Sequence, residues 1–176
     1  DARLLERRIT GIGRVLERLL AEIPNYDAEN TYYLFTYNSI QCEEYYKNIS
    51  TIKSIIPQKL FSPIWNNLIL PLYFKKYKID ILLSINQVVP LLKLGKCKYI
   101  SVVHDVIFRK DRSFLPVIYR LYLTLFSYFS LRISDVIITV SEFSKKDIMQ
   151  HYNVDEKKIH VVHLSASRKF YPLHLR

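Results

Sequence analysis

Four short runs of apolar residues, each with the length of one strand, dominate the second half of this chain. They comprise residues 81–85, 99–103, 136–140 and 159–164, and most of their residues are valine or isoleucine. Segments with helical character lie between them at about 114–133 and 142–152. Continuous hydrophobic strands that alternate with helices are typical of a parallel sheet covered on both faces. The sequence therefore predicts an α/β fold with a doubly wound, mostly parallel, Rossmann-like sheet.

The first half carries weaker signals of the same architecture. Apolar residues at every third or fourth position predict a helix over 13–23, which should end before Pro24. The aromatic run 32–37 predicts a strand. A second helix is predicted over 62–77, with a kink at Pro71. Residues 40–60 are ambiguous, with one helical turn followed by a short strand at Ile52–Ile56 as one interpretation.

Composition and charge limit the class of protein. With 176 residues, 49% of them hydrophobic, the chain can form one domain with a substantial core and is not disordered. Cys42 and Cys97 have neither metal nor redox spacing, and no signal peptide is visible, so we expect reduced thiols in a cytoplasmic protein. The formal net charge of +10 favours an anionic partner, such as nucleic acid, acidic lipid or a phosphorylated substrate.

Polar residues follow the predicted strands at the sheet edge where ligands bind in such folds. These residues are Asn86 and Gln87, His104 and Asp105, and Ser141 to Ser144. The turn Thr10-Gly11-Ile12-Gly13-Arg14 opens the first helix. If the topology is correct, all four groups should point into one crevice.

Gly11 and Gly13 allow two interpretations. Glycines at a helix start let backbone N–H groups approach a phosphate, which the helix N-terminus also favours. They could equally serve an ordinary loop turn. A complete dinucleotide-binding fingerprint is absent because Leu16 stands where its third glycine is needed, so a nicotinamide dehydrogenase is disfavoured.

His104 and Asp105 form the best polar pair for catalysis. A histidine that ends a buried strand can hydrogen-bond a substrate hydroxyl, and a neighbouring carboxylate can orient it. Alternatively, His104 bonds a loop carbonyl and Asp105 caps a turn. Ser144 with Asp147 resembles a helix capping box, which leaves Glu142 unexplained. The remaining histidines have no metal-ligand spacing, and we expect no metal.

Three segments together resemble glycosyltransferase family four, the retaining enzymes of B-type fold that include many mannosyltransferases of surface polysaccharide synthesis. The resemblance covers residues 1–172, and its most specific part is 135–162. Its segments are the glycine loop 10–14, the histidine strand 100–105, and the helix–strand unit Asp135-Val136-Ile137-Ile138-Thr139-Val140-Ser141-Glu142-Phe143-Ser144-Lys145-Lys146-Asp147-Ile148 with Tyr152-Asn153-Val154 and Lys158-Ile159-His160-Val161-Val162.

This resemblance implies that the chain is the acceptor-side half of a two-domain GT-B enzyme. The donor domain of the family carries two glutamates eight positions apart, and no glutamate of this chain has such a partner. Residues 173–176 would begin the linker to that domain, and the family's usual first strand would lie before Asp1. Ser165-Ala166-Ser167 departs from the Asn-Gly usual after the last strand.

The resemblance also implies roles for individual residues. Gly11, Gly13 and Arg14 would approach the donor diphosphate, and His104, with Asp105, would serve the transferred sugar. The acceptor side would be lined by Asn86, Ser141 and Glu142. The reaction would move a sugar, such as mannose, from a sugar nucleotide to a glycan or lipid-linked acceptor. No cofactor is expected beyond the donor, which the absent domain would bind.

Two other functional classes remain open from the sequence. One is a basic nucleic-acid-binding domain, which explains the charge but lacks a recognition motif. The other is a membrane-attached interaction module, peripheral on the inner face of the membrane. Its anchor would be the segment Phe114–Ile133, which is apolar almost all round apart from a narrow polar stripe of Arg120, Thr124, Ser127 and Ser134. The alternative for this segment is a core helix.

Overall fold

The computed structural model describes residues 2–6, 11–36, 38, 40, 49–53, 62–111, 113 and 115–165. Six strands are formed by Tyr32–Thr36 (β1), Ile49–Lys53 (β2), Ile81–Ser84 (β3), Lys98–Val103 (β4), Val136–Thr139 (β5) and Ile159–Val161 (β6). The α-helices are Gly11–Tyr26 (α1), Ser62–Ile64 (α2), Leu70–Lys76 (α3), Ile107–Lys110 (α4), Val117–Ile133 (α5) and Glu142–Tyr152 (α6). Thr10, Cys42, Arg112, Phe114 and the predicted linker 173–176 lie outside the described residues.

All observed strand pairs are parallel. β3, β4, β5 and β6 form a four-stranded sheet in sequence order, and β1 pairs with β2 in a separate two-stranded sheet. The four apolar runs of the second half are thus confirmed as strands. In a parallel sheet every strand ends at the same edge, so the residues after β3, β4 and β5 are brought together.

Helices cover both faces of the sheet, as the α/β prediction requires. On β4, Tyr99 and Val103 point to one face and Val102 points to the other, because side chains alternate along a strand. Val102 packs in a cluster with Leu16 and Leu20 of α1. Tyr99 packs with residues of α3, and Val103 packs with residues of α5 and α6.

Two prolines act differently from their sequence-based prediction. Pro24 lies inside α1, which continues to Tyr26, so the predicted end before Pro24 is wrong. A proline in the last turn removes a single helical donor, and Asp27 N still bonds Ile23 O at 2.9 Å. A kink was predicted at Pro71, because proline has no backbone N–H to donate. Before Pro71 the structure has a π-helical turn, Trp65–Ile69, and this wider turn accommodates the missing donor.

A cleft of about 550 Å³ separates β1 from β3. Residues that precede each strand, Glu29 to Thr31 and Lys78 to Asp80, line it together, so the two strands run in the same direction past it. Each strand has its pairing partner on its other side. At the far end of β1, Ala2 N donates to Phe35 O at 2.9 Å.

The narrow polar stripe of the long helix α5 faces the interior at its serines. Ser127 and Ser134 of that stripe are fully buried, as is Ser130. Ile118, Leu121 and other large apolar side chains on the opposite side are exposed. The serines face inward because Ser130 Oγ accepts from Val89 N at 3.0 Å and donates to Val89 O at 3.1 Å. Within the described part of the chain, no helix is long and apolar enough to span a membrane.

Candidate functional site

A small cavity of about 180 Å³ lies at the carboxyl ends of β3 and β4. Its wall combines the start of α1, the turn after β3, the end of β4 and the N-terminal half of α5. The lining residues are Ile12, Ile85, Asn86, Gln87, Val102, His104, Asp105, Phe108, Leu115, Tyr119 and Leu123. The cavity therefore lies at the edge where parallel sheets bind their ligands.

His104 supplies the main polar group of this cavity. Its Nε2 atom is buried and has no hydrogen-bond partner among the described residues. The ring also has a hydrogen bond with the Ile85 backbone. Burial lowers the pKa of His104, whereas Asp105 and this hydrogen bond act in the opposite direction. The ring is thus neutral above its lowered pKa, and its buried Nε2 is a polar atom with which a ligand hydroxyl can pair.

Asp105 is committed to the local turn. Its Oδ1 accepts a hydrogen bond from Ile107 N at 3.1 Å, and its side chain is exposed. This contact corresponds to the turn-capping alternative, and it holds the backbone that leads into the short helix α4. The charge of Asp105 still acts on the His104 ring, because it favours the protonated imidazole.

The turn after β3 contains Gln87, one of the polar residues expected in the crevice, in an unusual backbone conformation. Gln87 lines the cavity, is buried, and has a φ of 22°, which is unusual for a residue other than glycine. Its backbone is attached to β4 on both sides: Gln87 N donates to Val102 O at 3.1 Å, and Ser101 Oγ donates to Gln87 O at 2.9 Å. Such strained residues cluster at ligand sites, and a φ value has no sequence signal outside glycine.

Of the described residues 11–14 of the glycine loop, Ile12 alone lines the cavity. Gly11 is the first residue of α1, and Ile12 beside it lines the cavity. Gly11 has no positive φ, and a Cβ atom added there would meet nothing within 4 Å. The turn interpretation therefore receives no support at Gly11. Gly13 is buried, and Arg14 is exposed outside the cavity wall.

Ser141 and Glu142 begin α6 and are not part of the cavity lining. Ser141 is the cap, because its Oγ accepts from Ser144 N at 3.1 Å, so the capping box predicted at Ser144 and Asp147 is wrong by one turn. Glu142 follows at the first helical position, where the helix dipole favours a carboxylate. Ser144 Oγ donates to His104 O at 3.2 Å and so connects α6 to the histidine strand.

Two aromatic rings from outside the predicted site complete the wall. Phe108 comes from α4, and Tyr119 comes from α5, where its exposed fraction is 45%. Tyr119 belongs to the segment that was predicted to be a membrane anchor or a core helix. No signal in the sequence indicates that this helix also reaches the cavity. In the described part of the chain, no group of three or more His, Cys, Asp or Glu could hold a metal ion.

Parallel strands between helical layers define this domain as Rossmann-like, and a cavity with the buried Nε2 of His104 in its wall lies at their carboxyl ends. The comparison with protein families then gives its family. Residues 9–165 match Glycosyltransferase Family 4, so the chain belongs to that family. The resemblance found in the sequence is confirmed at this level.

A solved structure shows the same fold. The chain is similar to a glycosyltransferase from Rickettsia africae ESF-5, with a TM-score of 0.52 and 18% sequence identity. The match covers 85% of this chain and 38% of that one, so the similarity corresponds to less than half of the longer protein. This supports one Rossmann-like half of a GT-B fold. No curated protein matches the sequence.

Proposed function

We propose that this domain is the acceptor-side half of a retaining glycosyltransferase. It would act on a sugar nucleotide and a glycan or lipid-linked acceptor, with mannose as a candidate sugar. The observation that carries the proposal is His104 Nε2, a buried polar atom with no hydrogen-bond partner among the described residues, at the wall of a cavity on the carboxyl edge of the sheet. An unpaired buried polar atom costs about 1–3 kcal/mol, which a sugar hydroxyl could recover on binding.

The surrounding residues supply binding and orientation in this proposal. His104 Nε2 would accept a hydrogen bond from a hydroxyl of the transferred sugar. Asn86 and Gln87 follow the neighbouring strand β3 at the same edge of the sheet and would offer amide groups to the acceptor. Gly11 is the first residue of α1, where the helix dipole would favour the charge of a diphosphate. Ser141 and Glu142 stand outside the cavity and would contact only an acceptor that extends beyond it.

The reaction can be tested with the gene product that contains this chain together with a donor domain. It should be incubated with uridine and guanosine diphosphate sugars and a panel of glycan and lipid-linked acceptors. The proposal expects release of a nucleoside diphosphate and a product whose anomeric configuration equals that of the donor. Inversion of configuration, or hydrolysis without any acceptor dependence, would contradict it.

We further propose that a strand from residues preceding Asp1 fills the cleft between β1 and β3. Within the described residues, each of these strands has no pairing partner on the side of the cleft, and Ala2, which lines the cleft, donates its backbone N–H to Phe35 O. An added parallel strand would pair with both edges and cover the apolar residues that line the cleft.

A chain extended by its native upstream residues should therefore melt several degrees higher, since about 1 kcal/mol of added stability corresponds to 2–4 °C in melting temperature at this size.

Replacement of those upstream residues by a glycine–serine segment of equal length is the matched control. It keeps the added chain length but cannot form a stable strand. Equal melting temperatures for the native extension and the glycine–serine extension would refute the strand proposal.

The lowered pKa of His104 predicts a pH-dependent stability. The unfolded chain takes up a proton near its ordinary value of about 6.5, whereas the buried ring resists protonation until a lower pH. The contribution of His104 is therefore complete above the unfolded value and is lost as pH falls through the folded pKa. Urea unfolding at a series of pH values should show this loss in the wild type and a smaller loss in His104→Gln. The exposed His160→Gln serves as the control.

A further inference from the structure

The exposed sides of α3 and α5 are apolar, which is unusual for helices on the outside of a sheet. On α5 the exposed fractions are 79% for Ile118, 61% for Leu121 and 55% for Leu125. On α2 and α3, and on the π-helical turn between them, the exposed residues Ile64, Leu68 and Leu72 recur every fourth position. The inward side of α5 meanwhile carries the buried serines. This distribution reverses the usual one, in which polar residues face out.

The exposed apolar residues of α3 and α5 lie over the same face of the sheet. Tyr99, which packs with α3, and Val103, which packs in the cluster that includes α5, are four residues apart on β4 and so point the same way. The segment after β3 connects the two helical layers, because Val89 bonds Ser130 and Leu91 N bonds Asn67 Oδ1 at 2.8 Å. We call the exposed residues Ile64, Leu68, Leu72, Leu92, Val117, Ile118, Leu121, Leu125 and Phe129 the apolar platform.

A positively charged residue follows the exposed apolar residues at the C-terminal end of each helix. Lys76 follows Leu72 by four residues, and Arg132 follows Leu125 by seven, so each lies on the exposed side of its helix. Both helices lead into parallel strands, β3 and β5, which places their C-terminal ends at one edge of the sheet. No Asp or Glu occurs in residues 57–79 or 112–134, although the chain has 16. Asp80 and Asp135 follow the two helices at that edge, and Asp135 pairs with Lys93 at 2.6 Å. The surface itself, which is apolar with Lys76 and Arg132 at its border, complements an anionic bilayer.

We propose that the apolar platform docks this domain on a membrane surface that contains acidic lipid. Leucine and isoleucine side chains would enter the interfacial region while Lys76 and Arg132 contact lipid phosphates. α5 carries both Ile118 of the platform and Tyr119 of the cavity wall, so the docked domain would hold the cavity close to the bilayer. A lipid-linked acceptor could then reach it without leaving the membrane. The docking itself does not depend on glycosyl transfer.

The test is flotation of the purified chain with two kinds of vesicle, neutral phosphatidylcholine and phosphatidylcholine with about 30% phosphatidylglycerol. The proposal expects flotation with the acidic vesicles, little with the neutral ones, and a marked decrease at about 0.5 M NaCl. The triple variant Ile118→Ser, Leu121→Ser, Leu125→Ser should lower the floated fraction by more than about tenfold.

A matched control replaces apolar residues of similar exposure elsewhere on the surface. Tyr26, Val162 and Leu164 are 80%, 55% and 56% exposed, and their replacement by serine should leave flotation unchanged. Circular dichroism should show that both triple variants keep the wild-type helix content, since the substituted side chains are exposed. Equal flotation of the two variants would overturn the proposal. So would a chain that stays at the bottom of the gradient, or one whose platform variant only converts a dimer to a monomer.

Discussion

We expect the 176-residue chain, purified by itself, to transfer no sugar from any nucleotide donor. Glycosyl transfer needs the donor and the acceptor to be held together in a water-excluded site, and this alignment supplies a large share of the rate. The chain covers 38% of the glycosyltransferase that it resembles in structure, and none of its glutamates has a second glutamate eight positions on. Its cavity of about 180 Å³ is too small for a complete sugar nucleotide.

The measurement is release of nucleoside diphosphate, and of labelled product, during long incubation with uridine and guanosine diphosphate sugars. A two-domain family 4 glycosyltransferase in the same assay provides the positive control, and cooperative thermal unfolding of the chain shows that it is folded. Turnover above that of a heat-denatured sample would mean that this domain contains a complete active site.

The second large effect is expected for His104→Ala in the two-domain enzyme. Loss of a hydrogen bond that forms with a reacting sugar should lower kcat on the order of ten- to a thousand-fold. The fold should survive, because the side chain ends a strand and its Nε2 has no partner among the described residues. His104→Gln should recover part of the rate, since its amide keeps a polar atom near the position of Nε2.

His160→Ala is the control, because it shows whether replacing any histidine by alanine lowers the rate. His160 is exposed on β6, away from the cavity lining, and its replacement should leave kcat unchanged. If His104→Ala keeps the wild-type rate while its melting temperature falls, His104 is a structural residue. The sugar-binding role assigned to it would then be wrong.

Much of the fold could be predicted because its elements have local signals. The predicted helix over 142–152 matches α6, and the strand over 136–140 matches β5 to within one residue. Both contain uninterrupted patterns with clear boundaries. β2 was harder to predict, because the residues before it are ambiguous in sequence. It forms at Ile49–Lys53, which begins three residues before the predicted strand Ile52–Ile56. Its partner β1, not its own propensity, decides its position.

The candidate site was only partly predictable. Parallel topology correctly brought Asn86, His104 and Asp105 to one cavity, because strand ends share an edge. Ser141 and Glu142 also follow a strand, yet they cap α6 and stay outside the lining. Tyr119 joins the wall from a helix that starts more than ten residues after β4. Such a contact depends on how α5 packs on the sheet, for which the sequence has no local signal.

The sequence by itself determined the alternation of strands and helices, the parallel sheet and the glycosyltransferase family, because periodicity and motif order are properties of neighbouring residues. The tertiary structure alone decided which side of α5 faces inward. On composition, Leu121 and Leu125 belong in a core and Ser127 and Ser130 belong at the surface. Ser130 lies inward because its Oγ exchanges hydrogen bonds with Val89 in the segment after β3, and the buried Ser127 lies on the same side. That register turns Leu121 and Leu125 outward, while Leu123 and Leu131 stay buried, and creates the apolar platform.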